Sequence, residues 1–422
     1  MPSSPARIGS GPAMEHALAR RSPLSDLHRS GEALFAPYGP SDEAVGAAIE
    51  LVEAFDPVEV EYASIRRSAA VFDQPHRATL EVTGSDRLEF LNRMLTQELK
   101  GIEPFSQRRA FWLNRKGRID ADLRLINLPN RVLVDVDVHA AERARTGLES
   151  FVITEDVAVA DVTDAHHRMA LHGPGAASLL ARLSEAGSGQ GALIAEIQPG
   201  QASMIRIAGV EAVVDRHDTA GEIGLQMLVP SGGAVAVYEA ISTPWSARGP
   251  AGAAVTPSTE LARRIGWHAV NIARIEAGTA LYYADFGPDS LPHETGRETL
   301  SDRVSFKKGC YLGQEVVARM QSLGHPKQQL CALRIEAPKL SNPSDRFGQA
   351  VTGTGVLDAD SPEAKTVGAV TSSCVSPMLG QAPICLAMVK WSHSTPGTRV
   401  WLAADGARLP ATVQESMVFW KP

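Results

Sequence analysis

The segment Lys307-Lys308-Gly309-Cys310-Tyr311-Leu312-Gly313-Gln314-Glu315 combines residue types that suit a reactive thiol. Two adjacent ammonium groups and a helix starting at Gln314 favour the thiolate, and two glycines let the backbone approach whatever the sulfur touches. The plainer alternative is a small buried hydrophobe, Cys310, beside Tyr311. His293 and His325 flank the segment and could carry protons or act as ligands for it, although neither has a partner at a diagnostic spacing. A second chemical concentration runs from Asn114 to Leu123, where Arg115, Lys116, Arg118, Asp120 and Asp122 crowd a turn and a strand. Its cations could neutralise an anionic ligand, or simply be solvated at a hairpin tip. Glu222, between Gly221 and Gly224, offers a carboxylate that can accept two hydrogen bonds, or is a turn residue in water. Arg274 and Glu276 could be an internal ion pair.

Local patterns say which elements hold these residues. ATLEVTG alternates like a strand and stops at Gly84, and SDRLEFLNRML repeats Leu88, Leu91 and Leu95 at helical spacing with Ser85 or Asp86 as cap. FWLNRKGRIDADLRLINLPNRVLVDV reads as successive antiparallel strands with turns at Asn114–Gly117 and Pro129-Asn130. After a helix from about His139 to Phe151 the alternation recurs: strand at RMALHG, helix after Pro174, then strands at SMIRIAG, VEAVVDR and IGLQMLV. Two related α+β layers follow. AVGAAIELVEAF puts Ile49, Val52 and Phe55 on one helical face, and a further helix is expected around residues 260–274. Beyond Gly324, short β-like runs separated by Gly, Pro and Ser predict a small all-β domain. Residues 1–44 are expected to be a flexible tail, 45–324 the α+β region with domains that could interleave, and 325–422 the β-domain.

The bulk composition narrows the function classes. A hydrophobic fraction of 44% with 21% charged residues is ordinary for a globular chain, and no apolar run is long enough to span a bilayer. A net charge of -7 argues against general nucleic-acid binding. Cys310, Cys331, Cys374 and Cys385 form no CxxC pair, which argues against a disulfide framework or structural zinc and points to a cytoplasmic protein.

These segments together resemble YgfZ-type folate-binding proteins, within the glycine-cleavage T-protein (aminomethyltransferase) superfamily. Lys308 to Glu315 is similar to the signature K-G-C-[aromatic]-x-G-Q-E. Arg274-Ile275-Glu276-Ala277-Gly278 and Leu291-Pro292-His293-Glu294 resemble the R-[IL]-E-A-G and P-x-E segments. VFDQPHRATLEVTG from Val71, LHGPGA from Leu171, the Glu222 turn and VGAVTSSCVSP extend the similarity into the C-terminal region. The resemblance implies two related α+β domains and a C-terminal β-barrel around a central cavity that binds tetrahydrofolate. Glu222 then matches the carboxylate that recognises the pterin, with Asn114, Asp122 and Arg274 as further contacts. Cys310 becomes the functional thiol, framed by Lys308, Gly309, Tyr311, Gly313, Gln314 and Glu315, and the basic hairpin could meet a folate glutamate tail.

Two places depart from the T-protein pattern. In N-x-x-G-x-x-x-D-D-L the first Asp falls on Ala121 and the second on Asp122, and on a regular strand Asp120 faces away from Ala121's side. T-Q-E stands where T-proteins carry [TA]-N-D, around Asn92, Thr96 and Gln97. The function expected from the resemblance is therefore an accessory factor for assembly or repair of iron–sulfur enzymes, tRNA-modifying ones included. A single cysteine cannot hold a cluster alone, so such clients are partners. The alternative is a tetrahydrofolate-dependent aminomethyl- or methyltransferase, which Ala121 opposes by lacking a carboxylate. No resident metal is expected.

Overall fold

In strand Ile119–Asn127, Ile119, Ala121, Leu123 and Leu125 project into one core, while Ile126 belongs to another apolar cluster on the opposite side. The period of two thus buries both faces, as a strand between two layers requires. Gly224–Pro230 does the same, sending Leu225, Met227 and Val229 to one core and Leu228 to the shared cluster. A computed structural model of the chain describes residues 20–39, 49–242, 261–336, 349–404 and 407–422.

The first sheet has five strands in the order Ser106–Leu113, Ile119–Asn127, Val132–Asp137, Arg77–Thr83 and Ala158–Asp161. The second has seven, in the order Gln190–Gly191, Ala202–Ile207, Val210–Arg216, Gly224–Pro230, His166–His172, Ala70–Asp73 and Arg263–Ile265. The domains interleave, because Ala70–Asp73 precedes the first sheet in the chain yet pairs within the second. Helices Arg87–Met94 and Val138–Glu149 contribute to the first core, and Ala176–Leu183 and Ala234–Ile241 to the second. Ile126, Leu128 and Leu133 meet Ala202, Val213 and Leu228 between the sheets. A closed six-stranded barrel follows, with Gln328–Ile335, Thr366–Ser376 and Ala382–Lys390 as its long strands. The expected α+β architecture with a C-terminal barrel is what is found.

Several local expectations need correction. Ile49–Ala54 is a strand paired with Leu34–Tyr38, not a helix; the β-branched and apolar positions gain a cross-strand partner. Residues 20–38 are not a loose tail: Ser25–Ser30 is helical, and Leu24 and His28 are fully buried. The remainder of the expected tail lies outside the described residues. Arg263–Ile265 is a strand before helix Trp267–Glu276. The helix Arg87–Met94 receives no side-chain cap, since the Asp86 carboxylate accepts instead from the Asp156 backbone N–H at 2.9 Å.

Candidate active site between the two sheets

The inner faces of both sheets carry charged residues at the strand positions that alternate with the apolar ones. Arg124 donates to Asp135 through Nε at 3.0 Å and Nη2 at 2.6 Å, and its other nitrogen reaches Asp215 on the facing sheet. Arg77 and Arg168 also approach Asp135, at 2.9 and 3.3 Å. Three guanidinium groups thereby outweigh the burial of Asp135, whose carboxyl is held well below the usual range. This network is the polar seam of an otherwise apolar interface.

Beside the seam lies a cavity of ≈ 100 Å³. Arg77, Arg109, Asp122 and Arg124 reach it from the first sheet, Phe72, His172 and Gln226 from the second, and Trp267 and Arg274 from the helix behind. It is smaller than the roughly 300–1,000 Å³ of pockets that engulf drug-sized ligands, with room for a single ring. A wider groove of ≈ 400 Å³ on the barrel, near Arg334 and Glu336, adjoins none of the candidate residues.

Asp122 lines the cavity from the first sheet. Its carboxylate takes a fork from Arg303, Nε to Oδ1 at 2.8 Å and Nη2 to Oδ2 at 3.2 Å, and Arg109 stands 4.0 Å away. Burial pushes the carboxyl up to about 7, with Arg109 and Arg77 pulling in the opposite direction. Ala121 points into the first core and is fully buried. Pairing with Ser106–Leu113 skips Asp120, because Trp112 faces Ala121 and Leu113 faces Ile119. That bulge leaves the Asp120 carboxylate to accept from Asn114 Nδ2 at 3.1 Å rather than line the cavity.

The walls combine aromatic rings with unpartnered polar atoms. Phe72 and Trp267 have ring centroids 6.3 Å apart, and Trp267 meets His76 at 6.1 Å. Gln226 Nε2, His76 Nδ1 and His172 Nδ1 are buried without a hydrogen-bond partner. Burial lowers His76 to about 3 and His172 to about 4, so both are neutral imidazoles, each with donor and acceptor capacity. His217 is also held well below its ordinary value, by burial and then by Arg109 and Arg124. Unspent buried donors and acceptors cost free energy unless something pairs with them.

The residues chosen from sequence divide between cavity and scaffold. Asp122 and Arg274 line the cavity; Glu222, Asn114 and Cys310 do not. Arg274 spends its nitrogens on Asp285 at 2.7 Å, Ser372 at 2.6 Å and Asn271 at 2.9 Å, tying its helix to the barrel. Asn114 closes the hairpin, its Oδ1 accepting from Lys116 and Arg118 backbone N–H groups. Glu222 lies in the turn before Gly224–Pro230, with Arg66 and Asp218 the nearest charges; burial raises its carboxyl. Glu276 is buried against Arg66 at 2.5 Å.

Around Cys310 the segment packs against the first core and bonds to neighbouring backbone. Lys308 turns inward and donates to the carbonyls of Asn92, Leu95 and Gln97, so its ammonium caps the end of Arg87–Met94 instead of facing the thiol. Burial lowers it to about 8. Tyr311 is buried in the first core, and Gln314 Oε1 accepts from its N–H at 3.2 Å. Gly313 has φ +77° and sits where a Cβ would lie 2.6 Å from the Asn114 carbonyl, so only glycine fits. Gly309 is open, Glu315 lies exposed in the first turn of Gln314–Leu323, and Cys310 is exposed while the other three free cysteines are buried. His293 Nε2 donates to Gln321 Oε1 at 3.2 Å, and His325 stacks on Trp391. Among the described residues no cluster of His, Cys, Asp and Glu could hold a metal ion, and no helix is long and apolar enough to cross a membrane.

Sequence reasoning passed over Arg77, Arg109, Arg124, Asp135, His76, His172, Gln226, Trp267 and Arg303. The available signal was a charge inside an apolar strand: Arg124, Asp135, Arg168 and Asp215 each interrupt a run that otherwise reads as core.

Comparison with known proteins agrees with this architecture. Residues 35–308 match the GCVT N-terminal domain, and residues 329–421 match the glycine cleavage T-protein C-terminal barrel domain. A probable aminomethyltransferase of Halobacterium salinarum is 27% identical over 405 residues, covering 93% of this chain and 97% of that one. An aminomethyltransferase of Exiguobacterium sibiricum is 26% identical over 389 residues, covering 91% and 93%. The crystal structure of the glycine cleavage system aminomethyltransferase T from Bartonella henselae superposes with a TM-score of 0.76 at 22% identity, over 96% of this chain and 99% of that one. With both domain types matched in order and the same α+β and barrel architecture on the page, the chain belongs to the glycine cleavage T-protein family.

Proposed function

We propose that the chain transfers a one-carbon unit from an aminomethyl donor to tetrahydrofolate, in the cavity between the sheets, with the donor's nitrogen leaving as ammonia. The observation that carries this is Asp122: the strand that buries Ala121 delivers a carboxylate of near-neutral proton affinity to an aromatic-walled cavity with room for a single ring. Tetrahydrofolate, when bound, supplies the amine nitrogen that receives the carbon. Gln226, His76 and His172 would hold its pterin edge, and Phe72 and Trp267 would exclude water. Asp122 would take or return a proton at its carboxylate oxygens, a task suited to a group titrating near working pH. Two of the aminomethyltransferases similar to this chain span nearly its whole length, which favours the same class of chemistry. The test is turnover of an aminomethylated carrier protein with tetrahydrofolate present. Methylene-tetrahydrofolate formed well above the no-enzyme rate supports the proposal; none formed refutes it.

An accessory role for iron–sulfur enzymes, as in YgfZ-type proteins, is favoured by one separate observation, the exposed Cys310 on its braced loop. Such a role also suits a cytoplasmic location, where thiols stay reduced. Loss of iron–sulfur enzyme activity in a deletion strain, restored by the wild type but not by Cys310→Ala, would favour it.

A further inference from the structure

Arg303 is the last residue of helix Arg297–Arg303, and it does not line the cavity. Yet its guanidinium makes both close contacts to Asp122, while its own surroundings fix it in turn. It is buried, its centre lies 5.6 Å from the Phe111 ring, and its carbonyl accepts from Thr96 Oγ1 at 2.6 Å. Arg303 Nη1 also reaches Asp302 at 3.3 Å, and Arg109 Nη1 reaches the same carboxylate at 3.2 Å. Asp302 is half-exposed. A line of alternating charge therefore runs from solvent to cavity: Asp302, then the Arg303 and Arg109 pair, then Asp122.

We propose that Arg303 is a positioning residue that holds the Asp122 carboxylate toward the bound ligand, and that Asp302 tunes it by drawing on the same two arginines. A planar fork restrains both carboxylate oxygens, whereas an ammonium could meet only one direction at a time. The assignment rests on the transfer reading for its purpose, though not for its geometry. The charged groups facing Asp122 are Arg303 and Asp302 from the helix, Arg109 from Ser106–Leu113, Arg77 from Arg77–Thr83 and Asp135 from Val132–Asp137. Of these cations, only Arg303 bonds both carboxylate oxygens, while Arg109 stands 4.0 Å away and Arg77 is bonded to Asp135.

Carbon-13 titration of the aspartate carboxyls in the full chain tests this directly, with Asp122→Asn assigning the resonance. Arg303→Gln should raise the Asp122 midpoint by about one pH unit or more, since a close opposite charge is lost. Asp302→Asn, on the half-exposed side where folding is not at stake, should lower it by a smaller amount. Arg303→Lys should keep the midpoint near that of the wild type while cutting transfer kcat about ten-fold or more through loss of the fork. Unmoved midpoints in both Arg303→Gln and Asp302→Asn overturn the proposal. A chain that shows the shifts but no transfer retains the clamp and loses the proposed function, so the two failures are separable.

Discussion

Ala121 and Asp122 are neighbours on one strand and project to opposite sides, the methyl group into the first core and the carboxylate to the cavity. A carboxylate expected at 121 would be a charge among Phe111, Leu113 and Leu123-type packing, not a group presented to a ligand. The objection to transfer chemistry drawn from Ala121 therefore loses its geometric basis. Asp122→Asn should lower kcat by about 10²- to 10⁴-fold while a folded chain still binds tetrahydrofolate. Ala121→Asp should destabilise by about 3 kcal/mol or more and gain no rate. Single-turnover kinetics and thermal melts on the two variants check both statements.

The buried histidines set an acid limit on stability. His76 and His172 have folded values of about 3 and about 4 against 6.5 unfolded, so below pH 6.5 the unfolded chain binds protons that the folded chain refuses. Their contribution is present above pH 6.5 and is lost as pH falls toward 4, each with a slope of up to about 1.4 kcal/mol per pH unit. Asp122, raised from 3.8 to about 7, works in the opposite sense across the same range. The melting midpoint should fall between pH 6.5 and 4.5, fall more steeply in Asp122→Asn, and fall less in His172→Gln.

The elements that alternate or repeat over many residues were legible from sequence because one buried face dictates their period. Strand Ile119–Asn127 and helix Val138–Glu149 are of this kind. The strand Ile49–Ala54 was not, since its run is apolar enough for either period and only its partner Leu34–Tyr38 decides. Asp122 was found through its motif. Gln226, His76 and Trp267 come from three separate stretches, and only the face-to-face packing of two sheets unites them. Lys308 was misread as an activating cation because its direction is set by carbonyls more than two hundred residues away in sequence.

Residues 20–30 form a clasp whose loss should be felt. Asp73 is buried and accepts from Ser22 at 2.6 Å, His28 at 2.9 Å and His167 at 2.7 Å; burial raises its carboxyl, but the two histidines outweigh that and hold it well below the usual range. His28→Ala removes a donor and opens a void, and should cost about 3 kcal/mol. Denaturant unfolding measures it, and a loss under about 0.5 kcal/mol would contradict the clasp.

Gly313 and Cys310 should separate brace from chemistry. Gly313→Ala places a Cβ against the Asn114 carbonyl in a left-handed backbone and should cost about 2 kcal/mol or more. Cys310→Ala, at an exposed position, should change stability by no more than about 0.5 kcal/mol. Paired thermal melts test the contrast, which fails should the two variants melt together.

Calorimetric titration of the full chain with tetrahydrofolate, run side by side on the wild type, Gln226→Leu and Cys310→Ala, tests the placement of the site most directly. The cavity between the sheets predicts saturable binding to the wild type, affinity weakened about ten-fold in Gln226→Leu by loss of one buried hydrogen bond, and unchanged affinity in Cys310→Ala. No binding to the wild type, or binding that is kept in Gln226→Leu and lost in Cys310→Ala, would contradict it.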